Sequence, residues 1–98
     1  MEKRAPHCRL TEVIALVEAG KVRATRSARI GATELGLELS DMLAVVMALT
    51  AADFYKSMTT YADHTVWQDV YRPATAVGDV YLKLTVIDDV LIVSFKEL

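Results

Sequence analysis

The chain has 98 residues, 53% of them hydrophobic and 24% charged, and a formal net charge of −2. That length suits one domain, residues 1–98, with a core of its own, and that hydrophobic content excludes a disordered chain. The longest apolar runs, "LAVVMAL" and "VLIVSF", fall far short of the ~18 residues that span a bilayer, which excludes a membrane helix.

"MEKRAPHCRL" leads into no apolar segment with a cleavage site, and the single Cys8 cannot form an internal disulfide, so a reducing cytoplasm is the expected location. Next comes a helix over residues 11–19, capped by Thr11, striped by Val13, Ile14 and Val17, and stopped at Gly20. "KVRAT" reads as an extended link, after which Thr25 or Ser27 starts a second helix that Gly31 and Gly36 weaken. Ser40 caps a third, with Asp41 in its first turn and Met42, Val45, Val46 and Leu49 along one stripe. Thr50 with Asp53 resembles a one-turn capped segment.

From Tyr55 the period becomes alternating and β-branched and aromatic residues accumulate, which predicts strands over 55–60, 67–72, 80–87 and 90–96. Asp88-Asp89 joins the last two as a tight hairpin without the usual glycine. Helices followed by strands predict an α+β fold, with helices on one face of a small antiparallel sheet. Alternation places Leu82, Leu84 and Val86 on the helix side and Tyr81, Lys83 and Thr85 opposite. In the first strand it separates Lys56, Met58 and Thr60 from Tyr55, Ser57 and Thr59, and it permits Lys56, Gln68 and Tyr81 to share the open face.

Charge is uneven: residues 1–29 hold seven basic groups against three acidic ones, residues 30–98 four against ten. The acidic total is a poor match for a polyanion, because phosphate affinity is largely cationic. His7 and Cys8 adjoin without a second pair at zinc-ligand spacing, so no metal site is expected. By residue type alone, Lys56 and Lys83 are exposed strand lysines, Gln68 a surface residue and Tyr81 a half-buried aromatic.

Several irregular words change that weighting: "EKRAPH", "VRATRSA", "ELGLEL", "DFYKSMTTYADHTVWQDVYRP", "VYLKLTVI" and "DVLIVSFKE". Together they resemble the motility quorum-sensing regulator (MqsR) toxin family across the whole chain. The resemblance implies a RelE/YoeB-like ribonuclease toxin fold and a type II toxin that cleaves single-stranded mRNA at GCU-type sites, with no metal or other cofactor. It implies an MqsA-type antitoxin partner with a zinc-binding domain and a helix-turn-helix domain, so that DNA is met only through that partner. The family's functional lysine, glutamine and tyrosine fall on Lys56, Gln68 and Tyr81.

RNA carries its own nucleophile, the 2′-hydroxyl, so such an enzyme supplies alignment and charge. Lys56 suits charge stabilisation, Tyr81 proton transfer, and Gln68 the holding of a phosphate or base edge. At reference pKa values of ~10.4 and ~10, neither lysine nor tyrosine is a ready base at neutral pH. His64, Arg72, Lys83 and Lys96 are further candidate RNA contacts, each with an ordinary surface explanation. Trp67 and Tyr71 suit base stacking, though core packing explains them better. The competing function is a catalytically weak interaction module that pairs with the antitoxin and alters operator binding.

Overall fold

The computed structural model describes residues 1–98. Its elements run β1 (Glu2–Lys3), α1 (Leu10–Glu18), β2 (Val22–Ala24), α2 (Arg26–Glu34), α3 (Leu39–Met47), a 3₁₀ turn (Ala51–Asp53), β3 (Phe54–Thr59), β4 (Trp67–Tyr71), β5 (Ala74–Thr75), β6 (Gly78–Ile87) and β7 (Asp89–Glu97). The sheet order is β1-β3-β4-β6-β7-β2, with the short β5 paired to β6.

The expected α+β class holds, but the sheet is mixed rather than antiparallel. "KVRAT" is an edge strand, not a bare link, and β2 lies parallel to β7 with Arg23 opposite Leu91. An edge this short gives period-two reading almost nothing to work on. At the other edge β1 pairs antiparallel with β3, Glu2 opposite Met58.

Two of the three helices begin at a side-chain cap. Thr25 caps α2, its hydroxyl accepting from the Ala28 amide. Helix α3 starts one residue before Ser40: Glu38 is its cap, with Asp41 accepting the Glu38 amide at 2.8 Å. Arg9 precedes α1 in place of Thr11 and offers no side-chain cap. Gly20 takes the left-handed conformation, φ +76°, just beyond α1. Thr50 and Asp53 form the expected reciprocal cap on the 3₁₀ turn.

The three helices bury Val13, Val17, Ala28, Ala32, Met42 and Val46 against Tyr71, Val80, Leu82, Leu84, Ile92 and Phe95 of the sheet, in one cluster. Gly31 does more there than weaken a helix. A Cβ at this position would meet the Phe95 carbonyl oxygen at 1.9 Å, so glycine permits the close approach of α2 to β7. The β6–β7 hairpin closes through Asp88, which supplies the positive φ of 66° that a glycine would otherwise give.

On the same sheet face Asp69 is buried, at 2% exposure. Its carboxylate accepts the His7 amide at 2.9 and 3.1 Å and the Cys8 amide at 3.1 Å. Charge-assisted bonds of this kind secure the amino-terminal segment that leads from β1 to α1.

Candidate active site

On β4, Val70 stands opposite Lys56 of β3 and Lys83 of β6, and Lys83 stands opposite Ser94 of β7. Directly opposed residues share a face, so these side chains form one row on the side of the sheet that carries no helix. Val70 is fully buried yet stands outside the core cluster. Gln68 lies two residues before Val70 and opposite Met58. Tyr81 lies two residues before Lys83 and opposite Lys96. All three residues of the expected trio therefore face the same way.

They do not meet at a point. Four residues separate the levels of Gln68 and Tyr81 along the strands, about 13 Å at a rise of ~3.3 Å per residue. Lys56 lies between those levels, so the site is a strip running along the strands. His64 belongs to the Gln68 end, where it lines a cavity of about 340 Å³ with Glu2, Met58 and Tyr61. Arg72 and Lys96 belong to the Tyr81 end, the Lys96 ammonium 5.2 Å from the Tyr81 ring centre.

Two charges on the strip are tuned in opposite directions. Lys56 donates to the Glu2 carboxylate at 2.6 Å. That hydrogen bond is the main cause holding the lysine pKa above its ordinary value, while charge interaction with Tyr55 and Tyr81 adds to it. Glu2 is held below the usual carboxylate range, again chiefly through its hydrogen bond to Lys56. Burial, and then the neighbouring Lys96, push Lys83 down. Lys56 is thus a firm ammonium at neutral pH, suited to stabilising negative charge and unsuited to taking up a proton.

Tyr55 departs from the alternation expected for its strand. Phe54 opposes Tyr71 while Lys56 opposes Val70, the residue immediately before it, so the register shifts and Tyr55 is the extra residue of a β-bulge. Phe54 turns inward and meets Tyr71 edge-on at 5.5 Å. Tyr55 instead joins Lys56 on the helix-free side, and Arg72 lies over its ring at 4.5 Å. Strict alternation cannot reveal a bulge, and this one was missed, as was Glu2, which lies 54 residues from its partner.

Other candidates belong to the fold. Tyr71 is wholly buried in the core, and burial raises its pKa. Trp67 is covered by the amino-terminal segment, stacked on His7 at 5.6 Å with the Lys3 ammonium 4.1 Å from its ring centre. Burial, then Glu12, push the Cys8 thiol up to about 11.

Fold and face together define a class: small α+β proteins that back one sheet with helices and display a cationic strip of strand residues on its free side. Residues 5–97 match the family described as motility quorum-sensing regulator, toxin of MqsA. The chain is also 65% identical over 97 residues, 99% of either sequence, to the mRNA interferase toxin MqsR of Escherichia coli (strain K12). It belongs to the MqsR toxin family.

Proposed function

We propose that this chain is the toxin of a type II toxin–antitoxin pair and an endoribonuclease that cuts single-stranded mRNA at GCU-type sites. Family membership supports the class of activity. The observation that carries the chemistry is the shared face of Lys56, Gln68 and Tyr81, with Lys56 and Tyr81 within electrostatic reach of each other. Helices confined to one side of the sheet support the further reading of a RelE/YoeB-like fold.

In the proposed reaction the substrate's 2′-hydroxyl oxygen forms a bond to the adjacent phosphorus and the bond from phosphorus to the 5′-oxygen breaks. The nucleophile loses its proton and the departing oxygen gains one, leaving a 2′,3′-cyclic phosphate and a 5′-hydroxyl. Lys56 leaves Glu2 for a phosphate oxygen and stabilises the charge that grows there. Tyr81, with Lys96 beside its ring, is the proton-transfer partner. Gln68, two residues along the sheet from Lys56 and four from Tyr81, holds the neighbouring nucleotide rather than the scissile phosphate itself.

The acidic total, which favoured an interaction module, carries little weight locally. Lys56, Arg72, Lys83 and Lys96 gather on or beside this face with Glu2 as the carboxylate paired there, while Asp69 is turned to the opposite face. The cognate partner under this proposal is an MqsA-type antitoxin with zinc-binding and helix-turn-helix domains, through which the toxin reaches operator DNA. Digestion of a GCU-containing RNA in EDTA tests the reading. Discrete cuts ending in cyclic phosphate are expected, and intact RNA would assign the protein to the interaction module.

A further inference from the structure

We infer that Tyr55, Arg72 and Arg4 form a nucleotide subsite beside Lys56, in which a base of the RNA stacks on the Tyr55 ring and the arginines hold its flanking phosphate. The inference rests on the proposed ribonuclease reading and extends the strip beyond the expected trio.

Three cations converge on one ring. The Arg72 guanidinium lies 4.5 Å from the Tyr55 ring centre, the Lys56 ammonium 5.4 Å and the Arg4 guanidinium 5.9 Å. The chain's salt bridges join Arg23 to Asp89 and Lys56 to Glu2, so neither arginine around Tyr55 is ion-paired, although Glu2 lies within electrostatic reach of Arg4. Like charges assembled this closely repel one another, and an anion between them removes that cost. Tyr55 is 37% exposed, and its ring is large enough to take a base.

The backbone places the ring deliberately. Without the register shift between Phe54 and Lys56, alternation back from Lys56 would send Tyr55 to the helix side and Phe54 to the free one. The bulge turns it to the free face next to Lys56, and bulges recur beside functional sites because they re-aim single side chains in this way. Arg72 is held at the same level by its amide, which donates to the Asp53 carbonyl at 2.8 Å. A polyanion that also stacks fits all of these features, and single-stranded RNA is such a ligand.

The test compares wild type, Tyr55→Phe, Tyr55→Ala and Arg72→Ala in single-turnover cleavage of a GCU-containing RNA, and in binding of the same RNA with a 2′-deoxy nucleotide at the scissile position. Tyr55→Ala is expected to weaken binding by ~10-fold or more, with the loss on KM rather than on the saturated rate, while Tyr55→Phe keeps the stacking face and stays near wild type. Arg72→Ala should lower the slope of log affinity against log salt by about one. Binding by Tyr55→Ala within twofold of wild type, in a preparation whose wild type still cuts, overturns the subsite and leaves the ribonuclease reading standing. Loss of antitoxin binding with unaltered RNA binding also overturns it, and assigns the ring to the protein partner. A wild type that neither binds nor cuts the RNA overturns both.

Discussion

The two faces of one sheet are built from the same strands and differ in what they do with ionisable groups. The helix-covered face keeps them neutral or internally bonded: burial raises the pKa values of Tyr71 and Cys8, and Asp69 is committed to the His7 and Cys8 amides. On the free face Lys56 and Glu2 are each shifted toward their charged forms by the other, and Lys83 alone is pushed the other way, by burial and then by Lys96. Stability therefore comes mainly from one side and reactive charge from the other. Residues that alternate along a single strand, such as Ser57 and Lys56, answer to different demands.

The largest expected effects separate the two roles outright. Lys56→Ala and Tyr81→Phe should each lose at least ~10²-fold in cleavage rate, the lower range for removing a proton-transfer or charge-stabilising group, while the melting temperature stays close to wild type. Retained activity in both variants would end their assignment to the chemistry.

Gly31→Ala probes the other face. Overpacking against the Phe95 carbonyl should cost roughly 1–3 kcal/mol in denaturant unfolding, with activity per folded molecule preserved at low temperature. A neutral result would mean that α2 shifts away from β7 freely.

Smaller effects sharpen the contrast. Glu2→Gln removes the carboxylate that competes for Lys56, so RNA affinity should rise roughly two- to fivefold, most visibly at low salt. The lysine pKa should fall back toward its ordinary value, moving any alkaline loss of activity that depends on the ammonium to lower pH. A drop in affinity would give Glu2 a positive role in binding. For Cys8, whose thiol is pushed up to about 11, alkylation in the native protein should be slow at pH 8 and accelerate as pH approaches that value. Fast alkylation at pH 8 would show that the amino-terminal segment opens readily.

Much of this division could be read along the chain because it rests on short-range rules. Thr25, Gly20, Thr50 and Asp53 act within a turn of where they stand, and the period-two pattern from Leu82 to Val86 marked the helix-facing side directly. What escaped depends on distant segments meeting. Glu2 finds Lys56 through β1–β3 pairing, β2 joins β7 across the length of the chain, and the Asp69 carboxylate meets amides far from it in sequence. Tyr55 escaped for another reason: one extra residue in the ladder inverts its side, and nothing in the local pattern marks it. The family words pointed to Lys56, Gln68 and Tyr81, whereas their arrangement as a strip rather than a cluster follows only from register.

The most direct measurement compares cleavage of two RNAs that differ by a single oxygen, one all-ribose and one with 2′-deoxyribose at the scissile position, by the same protein in EDTA. The account predicts that the first is cut to a cyclic phosphate and a 5′-hydroxyl while the second binds and stays whole. Equal cutting of both would contradict it, because the free face would then have to provide a nucleophile rather than charge and alignment for the RNA's own.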